Sequence, residues 1–473
     1  MPISSPSIRR ILALSSCCLS ALLANSCANS KVFDSPGGST AMDKTTINAP
    51  AKNVILFIGD GMGISTITAG RIFDGQSQGL LGEEHSLAFD DFENVALIKT
   101  YNVDAQVPDS AGTATAIMSG YKANIGVINV KPDDLFAGCG GSDAPATLSD
   151  IASDAGLSVG VISTARLTHA TPAAMYAHSA SRGWEADKDI KDDAKDAGCE
   201  SIAAQLVKAE TPVNVVLGGG AKEFSDTQVE MWPAQGDGHV LIKNSEDLRS
   251  LKAKNTQDVL GLFSASHMDF EADRDDAEQP SLAEMTNFAI DNLSARKTGY
   301  VLMVEAGRID HAHHGTNAYR AMRDVQALNE AVKAALAKTG DDTLIMVTAD
   351  HSHVFTMAGY PARGNPIMGL VHNVDRETGM PKTDPALAKD GKPYTTLGYQ
   401  NGPNVRTPDS RTLTDAVVQD KDFHQQTAVP MGSETHGGED VALFATGPGA
   451  NQVRGVMEQN KIHDVIVSAL RIK

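Results

Sequence analysis

The stretch NVILFIGDG, residues 53–61, decides how the rest of the chain is read. Residues 54–58 are apolar without a polar alternation, so a strand made of them is buried on both faces. A strand that breaks into Gly59-Asp60-Gly61 and runs on into a helical pattern opens a β–α unit. The same grammar recurs along the chain. The run 159–162 ends in Ser163-Thr164, 213–217 in Gly218-Gly219-Gly220, and 300–304 in Glu305-Ala306-Gly307. Residues 344–347 end in Thr348-Ala349-Asp350 and 441–445 in Thr446-Gly447. Between such runs, residues 318–338 show a helical period, with Met322, Val325, Leu328, Val332 and Leu336 on one side. The pattern predicts an α/β fold with a mostly parallel central sheet and helices on both faces. Ligands in such sheets bind beyond the carboxyl ends of the strands, and Asp60, Glu305, Asp350 and His351 fall at or just past strand exits.

Outward from that core, the chain has 473 residues, 41% of them hydrophobic and 21% charged, the balance of a globular protein. Arg9 and Arg10 precede an apolar run, 11–24, that ends in small residues around Asn25-Ser26-Cys27. This is the layout of a secretory signal over residues 1–26, too short and serine-rich for a membrane span. It places the chain outside the cytoplasm, in the periplasm or beyond, with Cys27 a candidate for lipid anchoring. Residues 27–50 read as a flexible leader and 51–473 as the catalytic domain. Three of the five cysteines lie in or beside the signal, which leaves Cys139 and Cys199 as a disulfide or as two buried thiols. The formal charge of −19 argues against nucleic acid or an anionic membrane surface as a partner. An anionic substrate has to be drawn in locally, by metal ions or an arginine. Between residues 353 and 433 the periodicity decays into Gly, Pro, Asn and Asp, which predicts an insertion over the site, about 356–431, that covers the pocket, mediates association, or both.

Two strings concentrate the chemistry: Arg308-Ile309-Asp310-His311-Ala312-His313-His314 and Thr348-Ala349-Asp350-His351-Ser352-His353. Each sets imidazoles beside an aspartate, a donor mixture that suits zinc, and Asp310 and His314 are spaced to share one helical face. A third string, Ser433-Glu434-Thr435-His436, offers another imidazole before the last apolar run. In Val107-Pro108-Asp109-Ser110-Ala111-Gly112-Thr113, a turn leads into small residues. Asp109 or Ser110 would cap the helix that follows. Ser110 would then sit where backbone N–H groups and the helix dipole favour an oxyanion.

Residues 53–65, 107–116, 168–178 (THATPAAMYAH), 304–314, 348–355 and 434–444 (ETHGGEDVALF) resemble, in order, the successive signatures of the alkaline phosphatases. The resemblance runs from about residue 53 to the C-terminus and is weakest over the insertion. It implies hydrolysis of phosphate monoesters over a broad substrate range, through a phosphoseryl intermediate on Ser110, with two zinc ions and one magnesium. By the same resemblance Asp310, His314 and His436 hold one zinc, and Asp60, Asp350 and His351 the other. Asp60 bridges onward to magnesium, which also takes Thr171 and Glu305, with His169 supporting that ion through water. Arg182 matches the arginine that clamps the phosphate. Cys139 and Cys199 match a family disulfide, and family members are often homodimers. His169 and His311 stand where enteric bacterial enzymes carry aspartate and lysine, so the site resembles the animal type. Weaker magnesium retention and a strongly alkaline turnover are the expectations. His313 and His353 match no ligand role, and supporting positions are expected for them. The alternative on the same scaffold is a phosphodiesterase. Arg182 and a serine rather than a threonine at position 110 favour the monoesterase.

Overall fold

A computed structural model of the chain describes residues 49–131, 144–208, 210–251 and 256–472. The signal at 1–26, nearly all of the 27–50 leader with Cys27, and Cys139 lie outside the described residues. Each apolar run named above becomes a strand, and further strands complete the set. The strands are β1 (Asn53–Gly59), β2 (Asn94–Lys99), β3 (Ser158–Arg166), β4 (Val215–Gly219), β5 (His239–Ile242) and β6 (Asp258–Leu262). They continue as β7 (Tyr300–Ala306), β8 (Thr343–Thr348), β9 (Ser352–His353), β10 (Phe355–Met357) and β11 (Leu397–Gly402). The last are β12 (Thr427–Pro430), β13 (His436–Gly437), β14 (Val441–Thr446) and β15 (Gly455–Glu458).

Ten of them form one sheet in the order β15-β2-β14-β8-β1-β7-β3-β4-β6-β5. The pairs β1–β7, β1–β8, β3–β7, β3–β4, β4–β6 and β5–β6 are parallel, whereas β14 runs against both its neighbours. β1, β7 and β8 are buried along their whole length, as strands covered on both faces must be. Register does the positioning. Ile58 lies level with Glu305 on one side and Thr348 on the other, and Ser163 is level with Glu305. The exits of β1, β3, β7 and β8 therefore open on one edge. Because β14 is antiparallel, its beginning comes to that same edge, and with it β13 and His436.

The helix Ala318–Lys338 has the expected bounds, and its first turn is capped by Asn317, whose side chain accepts from the Arg320 N–H. Met322, Val325, Leu328 and Val332 are fully buried, but Leu336 is 38% exposed. Leu336 is thus a correction to the predicted stripe: Ala335 takes the inward position in the last turn, and the next residue points outward. This helix packs against Ile64–Ser77 at Gly70, where a Cβ would lie 2.6 Å from Val325 Cγ1. The 356–431 segment carries a sheet of its own, β10-β11-β12, with β10–β11 antiparallel and β11–β12 parallel.

The close approach at Gly70 and the outward turn of Leu336 give opposite expectations. Gly70→Val should destabilise the protein by about 1–3 kcal/mol through overpacking. Leu336→Ser should stay within about 0.5 kcal/mol of wild type. Urea unfolding of the two variants checks both, and a neutral Gly70→Val would show that the two helices separate without cost.

Candidate active site

Four carboxylates meet at the sheet edge. Asp60 follows β1, Glu305 closes β7, Asp350 follows β8, and Asp310 lies in the helix Arg308–His314 after β7; none is more than 3% exposed. Burial pushes the Asp60 carboxyl far above the usual range, and the charges of Asp350, Asp310 and Glu305 push it further. Burial likewise raises Glu305 to about 7, and it raises Asp350. The imidazoles beside them move the other way. Burial first, then neighbouring positive charge, holds His351 and His169 well below their ordinary value, and burial holds His311 at about 3. Asp60, Glu305 and Asp350 thus resist ionisation for want of a compensating positive charge, whereas at Asp310 burial is outweighed by hydrogen bonds from His314, His353 and His436, which hold it well below its ordinary value.

The geometry says where such charge fits. Asp310 Oδ1, His314 Nε2 and His436 Nε2 lie 3.3, 3.4 and 3.1 Å from one another. Atoms about 3.3 Å apart are corners of a tetrahedron whose centre is about 2.0 Å from each, the length of a zinc–nitrogen or zinc–oxygen bond. The outer nitrogens of both rings are pinned, His314 Nδ1 on the Glu434 carbonyl at 2.7 Å and His436 Nδ1 on the Pro108 carbonyl at 2.8 Å. Those bonds fix the tautomers and leave the Nε2 lone pairs facing Asp310. A second group joins Asp60, Asp350 and His351, with His351 Nε2 at 3.3 Å from Asp350 Oδ2 and 3.6 Å from Asp60 Oδ1. A third joins Asp60, His169 and Glu305. Both Asp60 oxygens, Thr171 Oγ1 and Glu305 Oε1 are buried with no hydrogen-bond partner, although buried polar atoms are normally paired. Oxygen donors left unpaired in this way fit a hard cation.

Ser110 is the first residue of the helix Ser110–Ser119 and is 2% exposed. Its Oγ lies 3.1 Å from His351 Nε2. Asp109 is the cap: its Oδ1 accepts from the Gly112 N–H at 3.1 Å and from Asn102 Nδ2 at 3.0 Å. One N–H of the helix start is therefore consumed by the cap rather than offered to a ligand. The other carboxylate oxygen of Asp109 accepts from the Gly126 N–H and from Arg182 Nη1, at 3.0 and 3.1 Å. On its far side the Arg182 guanidinium donates from Nη2 to His169 Nε2 at 3.0 Å. The arginine is thus held between a carboxylate and a neutral imidazole, beside the serine.

Glu434 was not among the expected site residues and His353 was expected only in a supporting position; both are buried in the site. His353 donates from Nε2 to Asp310 Oδ1 at 2.8 Å and from Nδ1 to Glu434 Oε2 at 2.6 Å. Burial works against the imidazolium, but its bonds to the two carboxylates outweigh that and raise His353 to about 9. A ring that keeps both protons has no lone pair for a metal, so His353 orients Asp310 rather than joining the ligands. His313 spans Thr66 Oγ1 at 3.0 Å and the Tyr399 hydroxyl at 2.8 Å, which ties the site to β11 of the 356–431 segment. His311 packs against His267 with the rings tilted by 53° and centroids 4.0 Å apart, and the His169 ring centroid lies 5.4 Å from that of His311. His267 gave no signal in the sequence because no chemically loaded neighbour marks it.

With fold and site in hand, comparison with known proteins is direct. The alkaline phosphatase family profile matches residues 51–472. The chain is 41% identical over 449 residues to the tissue-nonspecific alkaline phosphatase isozyme of Rattus norvegicus, covering 89% of this chain and 83% of that one. It is 40% identical over 453 residues to the alkaline phosphatase of Gadus morhua, covering 89% of this chain and 92% of that one. Among solved structures, Thermus thermophilus alkaline phosphatase superimposes with a TM-score of 0.65 at 22% identity, over 90% of this chain and 93% of that one. Alkaline phosphatase from the Antarctic bacterium TAB5 does so with a TM-score of 0.61 at 23% identity, over 90% of this chain and 99% of that one.

The double duty of Asp109 separates two effects. Asp109→Ser keeps a capping side chain but frees Arg182, so affinity for inorganic phosphate should fall about tenfold while stability changes little. Asp109→Ala should show the same loss of affinity and a further destabilisation of about 1 kcal/mol. Calorimetric titration with phosphate and thermal unfolding read the two effects apart.

Proposed function

This chain belongs to the alkaline phosphatase family and is a phosphomonoesterase, and we propose that it works through a phosphoseryl intermediate on Ser110 over a broad range of esters. The observation that carries this reading is the convergence, at one sheet edge, of Ser110, Arg182 and a buried set of carboxylates and neutral imidazoles. We assign Asp310, His314 and His436 to one zinc ion and Asp60, Asp350 and His351 to a second. Asp60, Thr171 and Glu305 are assigned to magnesium, with His169 and His311 in support. The near-tetrahedral spacing at Asp310 and the unpaired oxygens at Asp60, Thr171 and Glu305 support this division. A TAB5 alkaline phosphatase variant, His 135 Asp, carries magnesium in the site named M3. Bound in these places, divalent cations supply Lewis acidity to phosphoryl oxygens and lower the pKa of a nearby hydroxyl.

The chain's own residues do the rest. Arg182, steered by Asp109 and His169, presents its fork to the equatorial oxygens of the phosphoryl group, where stabilisation of phosphoryl transfer mostly lies. Ser110 Oγ gives up its proton and forms the bond to phosphorus as the ester P–O bond breaks, and the alcohol leaves with a proton. Water then attacks the phosphoserine, releases inorganic phosphate and restores the serine hydroxyl. Ser110 is buried at the start of its helix, and none of the residues assigned here reads the alcohol, in keeping with a broad range of esters.

The same reading carries an exported protein with a signal at 1–26 and a candidate lipid anchor at Cys27. It also carries a Cys139–Cys199 bridge; Cys199 is 6% exposed among Trp184, Ile190 and Ala194. Tyr360, Met380 and Leu387 are 87%, 63% and 62% exposed on the 356–431 segment, which supports a homodimer formed through it.

The test compares p-nitrophenyl phosphate with bis-p-nitrophenyl phosphate at alkaline pH. The monoester should be strongly preferred. Ser110→Ala should lose at least a thousandfold in turnover, and chelated enzyme should recover with zinc plus magnesium. Preference for the diester would move the chain to the phosphodiesterase alternative and remove the role of Arg182.

A further inference from the structure

Gln459 and Asn460 link β15 (Gly455–Glu458) to the helix Lys461–Leu470. Gln459 is fully buried, and its Nε2 donates to the main-chain carbonyl of Asp350 at 2.6 Å. That carbonyl belongs to the peptide joining Asp350 to His351. The N–H of the same peptide donates to Asp350 Oδ1 at 2.8 Å. The plane of this one peptide sets the directions in which the Asp350 carboxylate and the His351 imidazole leave the backbone. It is gripped on its N–H side by the aspartate itself and on its carbonyl side by Gln459. The next residue, Asn460, donates from Nδ2 to the carbonyl of Gly120 at 3.0 Å. Gly120, at φ +76°, ends the Ser110–Ser119 helix and lies against His463, where a Cβ would come within 3.1 Å of Nδ1.

From this arrangement we infer that Gln459 and Asn460 are paired positioning residues. Gln459 orients the Asp350–His351 peptide, and Asn460 fixes the far end of the helix that carries Ser110. Two adjacent side chains thereby set the 3.1 Å spacing between Ser110 Oγ and His351 Nε2. The inference rests on the site assignment proposed above. Partners that orient a ligand from behind typically change metal affinity or activity 10- to 100-fold when removed. The two residues should act on different quantities, because one holds ligands and the other holds the nucleophile.

The experiment uses holoenzyme of wild type, Gln459→Met, Gln459→Glu, Asn460→Ala and Ser110→Ala. Zinc competition against a chromophoric chelator, kcat and KM for p-nitrophenyl phosphate, and thermal unfolding are measured for each. Gln459→Met keeps the side-chain volume without the donor and should lose zinc to the chelator about 10- to 100-fold more readily. Its kcat should fall by a similar factor, with KM near wild type. Asn460→Ala should keep the wild-type zinc curve and lose severalfold in kcat. A lowered unfolding temperature with unchanged zinc competition and kcat in Gln459→Met would reduce Gln459 to a buried structural amide and overturn the inference. If Gln459→Met does not fold, Gln459→Glu assayed at strongly alkaline pH decides, since there its ionised carboxylate cannot donate to the carbonyl and a wild-type zinc curve would overturn the inference equally. A wild-type protein that takes up no zinc, or a Ser110→Ala variant that still turns over, overturns the site assignment itself. A normal wild type and an inactive Ser110→Ala beside an unaffected Gln459→Met defeat only the present inference.

Discussion

Four carboxylates buried at one sheet edge are the constraint on which the rest of the molecule depends. Asp60, Asp310, Asp350 and Glu305 are at most 3% exposed, and an isolated charge in such surroundings is among the costliest things a fold can bury. Only partial relief comes from the protein. Asp350 accepts from the Gly61 N–H at 2.9 Å, and His353 serves Asp310, but both Asp60 oxygens go unpaired. Metal ions held by the proposed ligands would complete the balance, and metal affinity and folding free energy would then be linked. That linkage also explains the company the carboxylates keep. His351, His169 and His311 are all held neutral by burial, and a neutral imidazole is the form that donates a lone pair.

The sheet delivers these groups with little freedom because its central strands are in register. β1 sits between β7 and β8, and all three exit at one level, so the short segments that follow have only a residue or two in which to aim a side chain. Reversal of β14 brings in the last of the proposed ligands without a long loop, because His436 arrives just before the strand begins rather than after one ends. The 356–431 segment then closes the back of the site. Tyr399 holds His313, Asn401 exchanges hydrogen bonds with Thr435, and β9 pairs with β13 so that His353 faces His436. An element that sequence alone could only describe as irregular thus buttresses the ligands.

The legible and illegible parts of the sequence differ in a physical way. β1, β3, β4, β7, β8 and β14 were readable because burial on both faces demands uninterrupted apolar runs, and no other common element produces them at that length. β2 was not read although residues 95–98 are apolar too, and it differs in kind: Val95 and Leu97 are exposed, so the run is buried on one face only. Site residues followed a similar rule. Asp310, His314, Asp350, His351 and His436 sit in strings where several donors crowd together, and Asp60 and Glu305 stand at strand exits, whereas Arg182 and Thr171 emerged only from the resemblance. Glu434 and His353 were visible as letters but not as a pair, since the hydrogen bond between them joins residues 81 positions apart. Gln459 and Tyr399 act through a single contact each, and one amide or phenol in an ordinary stretch carries no periodicity to notice.

The two halves of the site are held by different forces, and this shapes how the protein responds to its surroundings. Ser110, Asp109 and Arg182 are organised by directional hydrogen bonds: a cap, a Gly126 N–H and a guanidinium caught between Asp109 and His169. Such bonds survive without cations and are only weakly screened when partly buried. The carboxylate half has hydrogen bonds too, from the Gly61 and His351 N–H groups to Asp350 and from Ser163 to Glu305, but both Asp60 oxygens are unpaired and burial with the charges of Asp350, Asp310 and Glu305 bears on them. Removing metal should therefore loosen the exits of β1, β7 and β8 before it disturbs Ser110 or Arg182. The surface where the halves touch is the short gap from Ser110 Oγ to His351 Nε2, and there the directional scaffold and the charge-held ligands have to agree for phosphoryl transfer to occur.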